Sequence, residues 1–100
     1  MSMIPEGHLL IVIDLVYTAP ADRIEPHRAA HMAFIKQCLD EGFILVSGPK
    51  VPRTGGTIIA IAKDVEAARA RMAQDPFVTE NLVDLTYTPF DPGTRHPALP

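Results

Sequence analysis

The chain opens on a near-continuous apolar run, His8-Leu9-Leu10-Ile11-Val12-Ile13-Asp14-Leu15-Val16, rich in β-branched and aliphatic side chains. Such a run, at strand length, predicts a strand covered on both faces or central in a sheet. Over residues 24–41 the spacing turns helical. His27, His31, Phe34 and Cys38 fall on one stripe, flanked by Ile35 and Leu39, and a helix is expected there. Glu25 and Pro26 suit its start, by charge and by fixed φ, and Gly42 suits its end, because glycine takes the left-handed conformation cheaply.

Residues 43–47 read as a second strand closed by Gly48-Pro49, and residues 57–62 as a third, entered through Thr54-Gly55-Gly56. The two are expected to form a hairpin. Asp64 is a good N-cap for an alanine-rich helix over 65–73, whose Val65, Ala68 and Met72 share one side. Asp75-Pro76 begins a short turn, residues 82–90 alternate as a last strand, and the proline-containing tail 91–100 is expected to be loosely held. Strand, helix, hairpin, helix, strand is the ferredoxin-like α+β order, β-α-β-β-α-β. Both helices then lie on one face of an antiparallel sheet, and the other face needs a cover. A second copy of the chain is the simplest one, so a homodimer is expected.

Composition narrows the partners. With 100 residues, 47% apolar and 21% charged, the chain has the balance of one soluble domain, its core over about residues 8–90. The net charge is −3, and the nine Lys and Arg residues are scattered from Arg23 to Arg95, so the basic footprint of a nucleic-acid binder is missing. The longest apolar run is far short of a membrane span, and the first residues lack the basic start and apolar stretch of a signal peptide, which points to the cytoplasm. Cys38 is the single cysteine, which rules out an internal disulfide and a multi-cysteine metal site. Its place in a helical apolar pattern reads as a small buried hydrophobe.

Three polar residues stand where the pattern buries side chains: His27, His31 and Asp75. Arg28 lies three residues before His31, so both can meet an anion at one edge of the helix. A lone helical histidine is commonly structural, making one satisfied hydrogen bond, and only combination with other groups favours function. Asp75, ahead of Pro76-Phe77, has an equally plain account as the N-cap of a short turn. In this fold order, however, the end of the second helix can approach the first. A carboxylate near His31 would fix its tautomer and strengthen it as a base. The four-residue step from His27 to His31 is also a helical metal-site spacing, but no third ligand falls in a recognisable pattern, and no metal is expected. Ser47-Gly48-Pro49 reads as a strand end and turn, or as a place where Gly48 lets a ligand approach the backbone while Ser47 offers a hydroxyl. No helix start follows Gly55-Gly56, so no phosphate cradle is implied, and no cofactor fingerprint appears anywhere.

The order Arg28-Ala29-Ala30-His31, Gly42, Ser47-Gly48-Pro49, an apolar strand after Gly56, Asp75-Pro76-Phe77 and a last strand ending in Pro89-Phe90 resembles the YciI-like (YCII-related) family, over about residues 8–90. That resemblance implies a dimeric α+β barrel in which two sheets pack together. It also implies a His and Asp active site carried onto His31 and Asp75, with Arg28, Ser47, Gly48, Pro49 and Phe77 as substrate contacts. The activity attached to the family is dehydrochlorination of a chlorinated hydroxyquinol, and the wider superfamily acts on small cyclic or aromatic compounds. A cofactor-independent lyase or isomerase using a His-Asp pair is therefore expected. The alternative is a non-catalytic module that binds a metabolite in the same pocket, or a partner through its dimer face.

Overall fold

A computed structural model describes residues 3–99. The elements run β1 (Leu9–Tyr17), α1 (Ala21–Ile24), a 3-10 turn (Glu25–His27), α2 (Arg28–Glu41), β2 (Ile44–Pro49), β3 (Gly55–Ala62), α3 (Val65–Met72), α4 (Pro76–Thr79) and β4 (Val83–Phe90). The strands form one sheet in the order β2-β3-β1-β4 with every neighbour antiparallel, and the helices lie on one side: the ferredoxin-like α+β fold. The apolar run at the start of the chain is a central strand because both its edges are paired.

Register decides which side chains meet the helices. Ile11 pairs with Ala60 and Pro89, Ile13 with Ile58 and Tyr87, and Leu15 with Gly56 and Leu85. These positions share a face, since side chains alternate along a strand. On that face Ile11, Ile13, Leu15, Ile58 and Ala60 pack with Phe34, Ile35 and Cys38 of α2, Ala68 and Met72 of α3, and Phe77 of α4. The opposite face carries Leu10, Val12 and Val16 of β1, opposite Ile61, Ile59 and Gly55 of β3. Ile4, from the N-terminal segment, closes over Leu10 and Ile61, and Leu99 of the C-terminal segment packs beside them. The rest of this face is open: Val16, Val46 and Phe90 are exposed. Asp14, in its midst, pairs with Lys50 at 2.5 Å.

Two boundaries differ from the sequence reading, each for a local reason, and one side chain differs in burial. The expected helix from residue 24 is broken, because Pro26 has no N–H to donate and its ring crowds the preceding turn. Residues 25–27 form a 3-10 turn, His27 sits outside α2 as its N-cap with ψ near 0°, and α2 proper starts at Arg28. The strand expected to close at Ser47 runs on through Gly48 and Pro49, since β2 is an edge strand where a missing N–H breaks no ladder. Leu39, expected to flank the buried stripe, is exposed, while Phe34, Ile35 and Cys38 are buried. Gly42 ends α2 in the left-handed conformation, φ 82°.

Candidate active site

The site begins with the seating of α2. Phe34, Ile35 and Cys38 anchor the helix on the sheet. His31, one turn earlier on the same stripe, therefore points along the sheet toward α4 instead of into solvent, and its side chain is 13% exposed. Asp75 comes from the other direction. It is the N-cap of α4, where Pro76 fills the first helical position and the Asp75 side chain accepts the Phe77 N–H at 3.0 Å.

The same oxygen, Oδ1 of Asp75, lies 2.8 Å from Nδ1 of His31. Asp75 is 0% exposed and is the one buried charged residue among those described. An oxygen that already receives a backbone N–H serves the imidazole as a second acceptor, and this assigns the His31 proton to Nδ1 and leaves the Nε2 lone pair free. Oδ2 of Asp75 is buried and has no hydrogen-bond partner among the described residues, which hold the carboxylate through Oδ1. The two plain readings of the sequence thus hold together: Asp75 is a helix cap and also a partner of His31.

Beneath the imidazole lies Phe77, its ring 3.9 Å from that of His31 and only 4° from parallel. Phe77 is 2% exposed, so it is a floor for His31 and not an open contact surface. Tyr17, the last residue of β1, meets Phe77 edge-on at 6.2 Å. Beyond Tyr17 opens a cavity of about 320 Å³ lined by Tyr17, Ala19, Ala21, Ile24, Glu25, Arg28 and Arg53. Arg28 donates through Nε to Glu25 at 2.9 Å. The neighbouring Tyr17 hydroxyl, foremost, together with Glu25, pushes its pKa above the ordinary arginine value and keeps the guanidinium charged.

The other expected site residues are placed apart. Ser47, Gly48 and Pro49 are exposed on β2, separated from β1 by β3, and do not line the cavity. His27 faces Glu80 at 3.9 Å, and among the described residues no three His, Cys, Asp or Glu side chains gather as a metal would require. A second hollow, about 490 Å³, runs along α2 and includes Glu41 and Arg71, but those charges are already joined at 3.0 Å. Two cavity residues, Tyr17 and Arg53, escaped the sequence reading. Tyr17 was legible in principle: alternation from Ile11, Ile13 and Leu15 points its ring to the helix side. Arg53 sits in a loop whose path no periodicity encodes.

The model of the YCII-related domain matches residues 10–91. The chain belongs to the YCII-related domain family. Curated proteins include none that matches it. Among solved structures, this YCII-related domain is similar to the 5-chloro-2-hydroxyhydroquinone dehydrochlorinase TftG from Burkholderia phenoliruptrix AC1100, determined with 2,5-dihydroxybenzoquinone. The TM-score is 0.70 at 20% identity, over 84% of this chain and 95% of that one. It is also similar to a candidate antibiotic biosynthesis monooxygenase from Bacteriodes thetaiotaomicron VPI-5482, with TM-score 0.58, 22% identity and 91% and 97% of the two chains covered. A third similar structure is a mutant of SnoaB, a cofactor-independent oxygenase from Streptomyces nogalater, with TM-score 0.51, 16% identity and coverage of 91% and 98%. At these identities the likeness establishes the fold alone. No helix among the described residues is long and apolar enough to cross a membrane.

Proposed function

We propose that the protein is a small-molecule enzyme in which His31 moves a proton on a small cyclic or aromatic substrate. Asp75 is its positioning partner. The observation that carries the reading is the 2.8 Å contact from His31 Nδ1 to a carboxylate with no exposure. Neither residue lines the Tyr17 cavity itself; the link is Phe77, which stacks on His31 and meets the cavity residue Tyr17 edge-on. With Nδ1 committed to Asp75, the Nε2 lone pair accepts a proton from an acidic C–H or O–H of the substrate. The buried carboxylate offsets the charge that forms on the imidazole. The electron pair left behind enters the ring system as an enolate or phenolate, where the Arg28 guanidinium stabilises the oxygen. Where a halide stands next to the deprotonated carbon, that pair becomes a C=C bond and the halide leaves with its own bonding pair. The products are the unsaturated ring, a halide ion and the proton on Nε2. A dehydrochlorinase and a cofactor-independent oxygenase among the structural neighbours favour chemistry that starts on the substrate's own acidity. Two copies would pair through the open sheet face, shielding Val12, Val16, Val46 and Phe90.

The test is activity on 5-chloro-2-hydroxyhydroquinone, read as chloride release, and on substituted phenols and cyclic enols, read as deuterium uptake from D2O. Positioned acid-base groups contribute on the order of 100- to 10,000-fold, so His31→Ala should lose turnover on that scale with its fold retained. Turnover within a few-fold of the unsubstituted protein would remove His31 from the chemistry. If no compound turns over yet one binds, the site is a binding pocket.

A further inference from the structure

We infer that the substrate carries a carboxylate, held by Arg53 at the edge of the Tyr17 cavity. This rests on the acid-base reading of His31 for its meaning, though not for its test. The charges of the cavity wall are two guanidinium groups, Arg28 and Arg53, and one carboxylate, Glu25. Glu25 is committed to Arg28 at 2.9 Å. Arg53, by contrast, makes no hydrogen bond or ion pair among the described residues. The wall is left one positive charge in excess, in a chain of net charge −3.

The loop that carries Arg53 is itself well fixed. Thr54 N–H bonds back to Pro52 O at 2.8 Å, Lys50 N–H to Gly55 O at 3.0 Å, and Tyr17 N–H to Thr54 O at 3.1 Å. The last bond ties the backbone beside Arg53 to that of Tyr17. The cation is thus delivered by a firm loop to a cavity edge with no protein anion assigned to it. A guanidinium presents a planar fork of donors that matches a carboxylate's two oxygens. The charge count selects the same class: a monoanion balances the wall, whereas a phosphate dianion would overshoot it and face Glu25.

Placement then couples this anchor to the dyad. Arg28 is one helical turn from His31, and residues three apart are neighbours on a helix surface. Tyr17 lines the cavity and also touches Phe77, the floor under the imidazole. A ring attached to the held carboxylate lies against Tyr17, Ala19 and Ile24, close to His31. The substrate class is a small cyclic or aromatic monocarboxylic acid.

The experiment compares salicylate with its neutral isostere salicylamide, titrated into the whole protein by calorimetry and NMR. Salicylate should bind at least ten-fold more tightly, and Arg53→Gln should bring the two Kd values together by weakening salicylate alone. Arg53→Lys should keep part of the preference. Thermal melts establish that each variant is folded, as an exposed loop position leads one to expect. Equal affinity for the two probes, no binding of either, or an unchanged preference in Arg53→Gln would overturn the assignment. None of those results touches the His31→Ala measurement, so the anchor and the acid-base reading fail separately.

Discussion

At the residue scale the site turns on what each atom of Asp75 has left to give. Oδ1 serves both the α4 cap and His31, so a substitution there has two effects that separate. Asp75→Asn keeps an acceptor for one of them but removes the charge that fixes the Nδ1–H tautomer. The expected outcome is a loss of turnover of roughly 100-fold or more with a folded protein, and a 15N spectrum of His31 that no longer reports Nδ1–H as the dominant tautomer. Phe77 acts differently, through packing. Phe77→Ala opens a hole under the imidazole and in the core at once, at a cost of about 3–5 kcal/mol, which a denaturant midpoint would register. Cys38 supplies the pH prediction. Burial raises its thiol above the usual 9.0, so native Cys38 holds its proton where the unfolded chain has released its own. Its contribution to stability is complete below pH 9.0 and is lost as pH rises through the raised value, so stability should fall with rising alkaline pH. A thiol reagent at pH 8 should leave the native protein unlabelled until it unfolds.

At the scale of elements, the site depends on how closely β3 approaches β1 at the end that bears Tyr17. Gly55, at φ 157°, stands opposite Val16, and a Cβ there would lie 1.8 Å from the Leu15 carbonyl oxygen. Backbone cannot move aside as a side chain does, so Gly55→Ala should destabilise by at least the ~1–3 kcal/mol typical of overpacking. It should also displace the loop carrying Arg53. Gly56→Ala, whose nearest contact is the Gly48 carbonyl at 3.3 Å, is the milder companion. Thermal melts of the two variants side by side should place Gly55→Ala lower. The break at residues 25–27 belongs to the same scale. By stopping one helix and starting another at Arg28, Pro26 lets Glu25 turn back onto Arg28 and sets both at the cavity wall.

At the scale of the whole molecule, the helices cover one sheet face while the other keeps Val16, Val46 and Phe90 in solvent. Light scattering should give twice the 10.9 kDa of one chain. Val46→Asp, which adds a charge to that face without touching the site, should shift the mass toward one copy, because an unpaired charge is costly to bury at an interface. A wild-type mass of 10.9 kDa at micromolar concentration would rule the pairing out.

Much of this was written in local pattern. The apolar run of β1, the stripe Phe34, Ile35 and Cys38, the Gly42 stop, and the Asp64 and Asp75 caps are each decided by near neighbours in the chain. Near neighbours are all that periodicity and capping report, and together they dictated the ferredoxin-like order. They also put His31 on an inward stripe and Asp75 ahead of a turn. Whether the two meet was not local: it depended on α4 folding back against α2, across 44 residues of chain, with an imidazole-phenyl stack between them. Tertiary structure likewise brought Tyr17, Arg28 and Arg53 from three separate segments to one cavity, and left Ser47, Gly48 and Pro49 on an edge strand away from it. The sequence by itself determined the elements and the two chemical partners. Only the packing of those elements decided the distance between the partners and which charges surround them, because contacts between distant segments are selected by the shape of the whole core.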